Sequence, residues 1–116
     1  SRSLYLVYEL MANTYVNAKL DLTATSVTTL YTAVGLTTGI VKSILVSEDS
    51  GNADTITVTV TNGSSVFSLF KTKAIGANAT VELLTAPLVL QPTEILKVTA
   101  ATANRLHVVA SILEIT

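Results

Sequence analysis

The sequence predicts an all-β domain: an antiparallel two-sheet β-sandwich, jelly-roll-like, of about eight strands. Three observations carry that prediction. Apolar residues alternate with polar ones at a period of two, and helical periodicity is almost absent. Turn-forming residues punctuate the chain every ~8–12 residues, the spacing of sandwiches and jelly rolls. Threonine, whose β-branched side chain suits a pleated surface, occurs 19 times in 116 residues.

The elements follow in order. Residues 3–10 read as an apolar strand, and 14–22, 27–32 and 39–47 as the next three. The clearest alternation is Thr55-Ile56-Thr57-Val58-Thr59-Val60-Thr61, with Ile56, Val58 and Val60 on one face and four threonines on the other. Asn62-Gly63 follows, then Ser65 to Phe70, which predicts a β-hairpin through a type I′ turn with positive φ at both central residues. Residues 79–90, 94–100 and 105–115 complete the set, and Pro87 obliges the first of these to lie at an edge or a bulge. Turn chemistry separates the runs at Gly35 to Gly39, Asp49-Ser50-Gly51-Asn52, Gly76-Ala77-Asn78, Gln91-Pro92 and Ala101 to Asn104.

The final strand carries apolar residues on both faces: Leu106, Val108, Ala110 and Ile112 on one, Val109, Leu113 and Ile115 on the other. A strand of that kind is buried on both sides. Either it is central with a loop over its outer side, or it packs against another subunit.

Composition excludes many functions. The chain has no cysteine and one histidine, His107, which rules out disulfide scaffolds, thiolate chemistry and zinc sites needing two histidines. Charged residues make up 13%, half the usual ~25%. The net charge of −1 and seven scattered basic residues make nucleic acid an improbable partner. No apolar run approaches the ~18 residues of a membrane span, and Leu4 to Tyr8 is too short for a signal-peptide core. Low charge with positive mean hydropathy points to a subunit covered by partners, because surface charge keeps small proteins apart.

The remaining motifs read as structure. His107 and Ser111 lie about 13 Å apart along one strand, too far for a proton relay, so His107 reads as structural or interfacial. Glu48 to Asp54 gathers three carboxylates but lacks the calcium-loop order, and reads as a solvated hairpin turn. Asn62-Gly63-Ser64 and Asn78-Ala79-Thr80 match the glycosylation triplet and read as turns. Asp21, Glu82, Glu94 and Glu114 fall on separate elements, with nothing to bring a pair to glycosidase spacing. The expectation is no enzyme, no catalytic or metal residues and no cofactor.

From Thr28 onward the order of features is distinctive. Thr29-Leu30-Tyr31-Thr32 leads to Gly39-Ile40-Val41-Lys42-Ser43-Ile44-Leu45-Val46-Ser47, and then to the threonine-alternating strand. Gly76-Ala77-Asn78-Ala79-Thr80-Val81-Glu82-Leu83, Pro87-Leu88-Val89-Leu90, Glu94-Ile95-Leu96-Lys97-Val98 and a closing Leu113-Glu114-Ile115 follow. Over residues 14–116 this pattern resembles small β-sandwich virion structural proteins of tailed bacteriophages, of the marine and cyanobacterial phage type. The resemblance implies a non-enzymatic virion component, assembled in the host cytoplasm, and offers no site residues to transfer. A capsid decoration (cement) protein is the first expectation, forming a homo-oligomer, trimer first, that braces the major capsid protein. A tail, neck or baseplate component is the alternative, and a carbohydrate-binding sandwich for host attachment is a further one.

Residues 1–13 are expected to form an N-terminal arm or extension, and 14–116 the sandwich domain. Met11-Ala12-Asn13 reads like an initiation site, which would make 1–10 an extension from an upstream start, a propeptide remnant or an appended segment. Leu4, Leu6 and Val7, with Tyr5 and Tyr8 as amphipathic anchors, are the expected interface residues, through strand addition to a sheet of the same chain or a neighbour.

Overall fold

The computed structural model describes residues 12–116. Among these residues there are nine strands: β1 Asn13–Asp21, β2 Thr28–Thr32, β3 Thr38–Glu48, β4 Asp54–Thr61, β5 Val66–Ile75, β6 Thr80–Glu82, β7 Leu88–Leu90, β8 Ile95–Ala100 and β9 Leu106–Ile115. The predicted strand over 3–10 and the interface residues Leu4, Tyr5, Leu6, Val7 and Tyr8 lie outside the described residues.

The strands form two antiparallel sheets. The first runs β1-β9-β3, with β6 and β7 sharing the far edge of β3, and the second runs β2-β8-β4-β5. Only β4 and β5 form a hairpin within one sheet. Every other connection either crosses from sheet to sheet or, between β6 and β7, continues along the same edge.

Period-two patterning explains the layering. Val41, Ile44, Val46, Leu106, Val108, Ala110 and Ile112 face inward from the first sheet, and Ile56, Val58, Leu96, Val98 and Ala100 from the second. Leu22, Leu30, Ala33, Ile75, Leu83 and Leu90 fill in around them.

Four expectations are corrected. The Asn62-Gly63 hairpin forms, but through a four-residue loop, because Thr61 pairs with Val66 and only Gly63 has positive φ, at 100°. The Asn62 Oδ1 accepts from Ser64 N at 3.0 Å and Ser65 N at 2.9 Å, and this side-chain turn replaces the type I′ geometry. The run 79–90 divides into β6 and β7, with Pro87 immediately before β7. Glu48 to Asp54 is not a hairpin, since β3 and β4 belong to different sheets, and Glu48 is buried rather than solvated. Finally, β9 is central, but its Val109 face is open, with no loop of the described residues over it.

A bulge between Val41 and Ser43 in β3 explains the split edge. β7 pairs with Gly39 to Val41, β6 with Leu45 to Ser47, and the gap is bridged by Glu82. Its carboxylate accepts from the Ser43 hydroxyl, from Ile44 N at 2.8 Å and from Leu84 N at 3.2 Å. A side chain thus replaces the missing strand at the bulge.

Tyr31 bolts the two sheets together at one end. Its ring reaches from β2 across Gly39 of β3, and its hydroxyl donates to Glu114 Oε2 of β9 at 2.5 Å. Burial raises the phenol's pKa, and the neighbouring Glu114 raises it further. A Cβ on Gly39 would sit 2.8 Å from Tyr31 Cε2, so glycine is required for the ring's seat. Gly39→Ala is therefore expected to cost about 1–3 kcal/mol of stability, as overpacking does. In a double-mutant cycle by urea denaturation, Tyr31→Ala should remove most of that cost, and strictly additive losses would refute the contact.

Candidate functional site

The outward face of the first sheet carries a connected row of apolar side chains. Strand register arranges its side chains in rows that run across the strands. Tyr15 of β1 lies beside Leu113 of β9, Leu113 beside Ile40 of β3, and Ile40 beside Val89 of β7. Tyr15 is 76% exposed and Val89 50%, with Ile40 and Leu113 half-buried between them. At about 4.8 Å per strand this apolar row spans roughly 14 Å. Ile115, one row nearer the start of β1, extends it.

Along the strands the face changes character. Next comes Asn17, Ser111 and Ser43, then Lys19, Val109, Leu45 and Glu82, and last Asp21, His107, Ser47 and Thr80. The face is thus apolar at the end where residue 12 joins β1 and polar at the other. An open groove of about 470 Å³ lies beside the apolar row, lined by Tyr15, Val16, Asn17, Lys42, Ser111 and Ile112.

The outward face of the second sheet differs. Thr57, Thr59 and Thr61 of β4, with Lys97 and Thr99 of β8, floor a groove of about 400 Å³ bounded by Val27 and Val66. No aromatic ring lines it, so it lacks the stacking platform on which a sugar ring would sit.

Acidic groups are held at the ends of the sandwich and at the bulge. The buried Glu48, 2% exposed, accepts from Ser50 N at 2.8 Å, Ser50 Oγ at 2.5 Å, Gly51 N at 3.0 Å and Asn78 N at 3.1 Å. Burial alone would raise its pKa, but these four donors outweigh burial and hold it at about 2. Glu82 follows the same logic: burial opposes, while Ser43 and the backbone of Ile44, Leu84 and Leu83 lower its pKa. Asp54 accepts from Thr102 N at 3.1 Å, and Glu94 from Gln91 N at 2.6 Å. Each of these carboxylates is engaged by backbone donors of its own chain.

His107 sits on the polar end of the open face. Its Nε2 lies 3.3 Å from Asp21 and its Nδ1 3.6 Å from Asp49, all three side chains well exposed. Ser111 shares the face with His107, with Val109 between them along β9. Among the described residues no group of three or more His, Asp and Glu side chains is arranged to hold a metal ion.

No protein-family model matches the chain, and no curated protein matches it. Among solved structures it is similar to the crystal structure of a pentameric capsid protein isolated from metagenomic phage sequences. Identity is 17% and the TM-score 0.45, over 85% of this chain and 58% of that one. A second crystal structure described in the same words, solved by iodide phasing, is similar at 16% identity and TM-score 0.43, over 85% and 60% of the two chains. The chain thus spans less than two thirds of the length of the structures it resembles.

The sequence reading did not single out Tyr15, Ile40 or Val89 as candidate contact residues. Tyr15 was legible, because it alternates with Val16, Ala18 and Leu20 and so faces away from the core. Ile40 and Leu45 were not, because the bulge between them shifts the alternation.

The Glu48 network makes acid stability testable. A carboxyl whose pKa falls from 4.5 to about 2 on folding stabilises the fold above pH 4.5, and that contribution is lost as pH drops toward 2. Urea midpoints should hold steady above pH 5 and fall between pH 4.5 and 2. Glu48→Gln turns an amide NH2 toward backbone donors, so it should be less stable than wild type at pH 7 and show a flatter decline. A pH profile identical to wild type would disprove the assignment.

Proposed function

We propose that this chain is a non-enzymatic bacteriophage virion structural protein, a capsid decoration subunit that self-associates and braces neighbouring shell subunits. The strand order is the observation that carries this reading. Counting β6 and β7 as one interrupted strand, β1-β9-β3-β6/7 faces β2-β8-β4-β5, with the chain alternating between sheets. That order supports reading the sandwich as a jelly roll of two Greek keys, an architecture used for viral capsids and for lectins.

The surface supports a virion subunit over a lectin. The outward face of the first sheet offers a connected apolar row, and the groove on the second sheet has no aromatic ring for a sugar. Low charge with positive mean hydropathy fits a subunit whose faces are covered by neighbours. The features from Thr28 onward that resemble tailed-phage virion proteins point the same way. Residues Leu4, Tyr5, Leu6, Val7 and Tyr8 belong to this assembly surface as an arm, with a trimer as the first arrangement to examine. Each stable interface needs about 1,200–2,000 Å² of buried surface, and many copies multiply a modest contact.

Quantitative mass spectrometry of virions carrying this chain tests the placement. A copy number near that of the major capsid protein is expected. A few to a few dozen copies would move the chain to the tail or neck, and absence from virions would overturn the reading.

A further inference from the structure

The first sheet ends in an edge unlike the other three. β2 carries a register shift between Thr29 and Tyr31, and the β4–β5 pairing shifts twice. β5 also holds Lys71 and Lys73 around Thr72, whose φ is 48°. The β6/β7 edge is interrupted and carries Pro87. Kinks, bulges, lysines and proline are the devices that keep edge strands from pairing with other chains. β1 has fewer of them: its nine residues pair with β9 in unbroken register, and Lys19 is its one basic residue. Its inward side chains Val16, Ala18 and Leu20 pack on the core yet are only partly buried. Among the described residues, nothing covers the margin of the core beyond this edge.

We infer that the free edge of β1 is the acceptor for residues 3–10 of a second copy of this chain, which add to the first sheet as a further strand. The inference rests on the assembly reading above. Leu4, Leu6, Tyr8 and Leu10 alternate with Tyr5, Val7, Glu9 and Met11, so the segment is apolar on both faces. An added strand at the β1 edge buries both. One face completes the cover over Val16, Ala18 and Leu20, and the other lengthens the Tyr15–Leu113–Ile40–Val89 row. Docking flat on the outward face would bury one of them alone. The lengths also agree, since eight extended residues span about 26 Å and nine about 30 Å.

Where the segment joins the body favours a neighbour over the same chain. Ala12 is still in the ladder, exchanging hydrogen bonds with Thr116 at 3.4 and 3.0 Å. The chain therefore enters β1 already extended. Folding residues 3–10 back along β1 requires a tight turn at Met11-Ala12, and residues 1–12 contain no glycine, proline or asparagine to make one. Main-chain hydrogen bonds along the edge would supply affinity, and the alternating side chains specificity.

The test separates arm from assembly. The described strands and core lie within residues 12–116, and circular dichroism of the chain lacking residues 1–11 should show the β-sheet signal of the full chain before its association is read. Sedimentation should show the full chain self-associating and the truncated chain weaker by at least tenfold. A peptide of residues 1–11 with a charged tail, titrated into the truncated chain, should slow amide exchange within Asn13–Asp21 and shift those resonances first. Tyr5→Ser with Leu6→Ser in the peptide should weaken binding at least tenfold. Shifts confined to β3, β7 and the outward side of β9 would mean docking on the face and would overturn the inference. So would absence of peptide binding, or a full-length monomer with β1 already protected, which would place the arm on its own edge. A truncated chain that self-associates as strongly as the full chain would refute the arm alone, whereas absence from virions would refute the assembly reading.

Discussion

The fold depends on how the two ends of the sandwich satisfy the backbone. Because successive strands almost always change sheets, the chain leaves one hydrogen-bond ladder and enters another at nearly every connection. Backbone N–H groups in those passages have no strand partner, and a buried one left unpaired costs about 1–3 kcal/mol. Carboxylates meet part of the need. Glu48 holds the β3–β4 passage to the β5–β6 turn through Gly51 and Asn78, Asp54 holds the β8–β9 loop through Thr102, and Glu94 closes the turn before β8. Glu82 does the same in mid-sheet. A chain with so few charges thus commits four of its eight acidic residues to its own main chain.

That commitment shapes the surface. With these acids turned to backbone donors, little charge remains to keep the outward faces apart from other proteins, and threonine takes its place on the second sheet. The first sheet goes further, with an apolar row at the end where residue 12 enters and polar rows toward His107. Such a lengthwise gradient gives a contact surface direction: one end prefers to be dry, and the other tolerates water.

Much of the fold was legible because period-two alternation needs no long-range information. Ile56, Val58 and Val60 declare their face locally, and the structure buries all three. What was not legible depended on which sheet a strand joins. Glu48 to Asp54 looks like a solvated turn between neighbouring strands, and nothing local shows that β3 and β4 face each other across the core. Asn62-Gly63 misled differently, since the Asn62 side chain offers an acceptor that a four-residue loop uses better than a two-residue one. The two-sided apolar pattern of β9 predicted burial on both faces; the structure buries the Leu106 side and leaves Val109 exposed, because no described loop crosses the outward face. The apolar row had the same limit: its members come from four strands and become a surface only through register.

The edges join these strands of reasoning. A sandwich of two open sheets has four edges, each a template for unwanted pairing. Here three are made irregular, by bulges in β2 and β5 and by the break between β6 and β7. The break is not a packing accident, because Glu82 and the β3 bulge hold it in place with three hydrogen bonds. In the proposed assembly, three protected edges and a regular fourth would direct strand addition to β1. That place adjoins the incompletely covered side chains of β1 and the apolar end of the outward face. Edge, core margin and apolar row converge on a single corner of the described residues, so a partner seated there would meet backbone groups and apolar side chains that no other described strand covers.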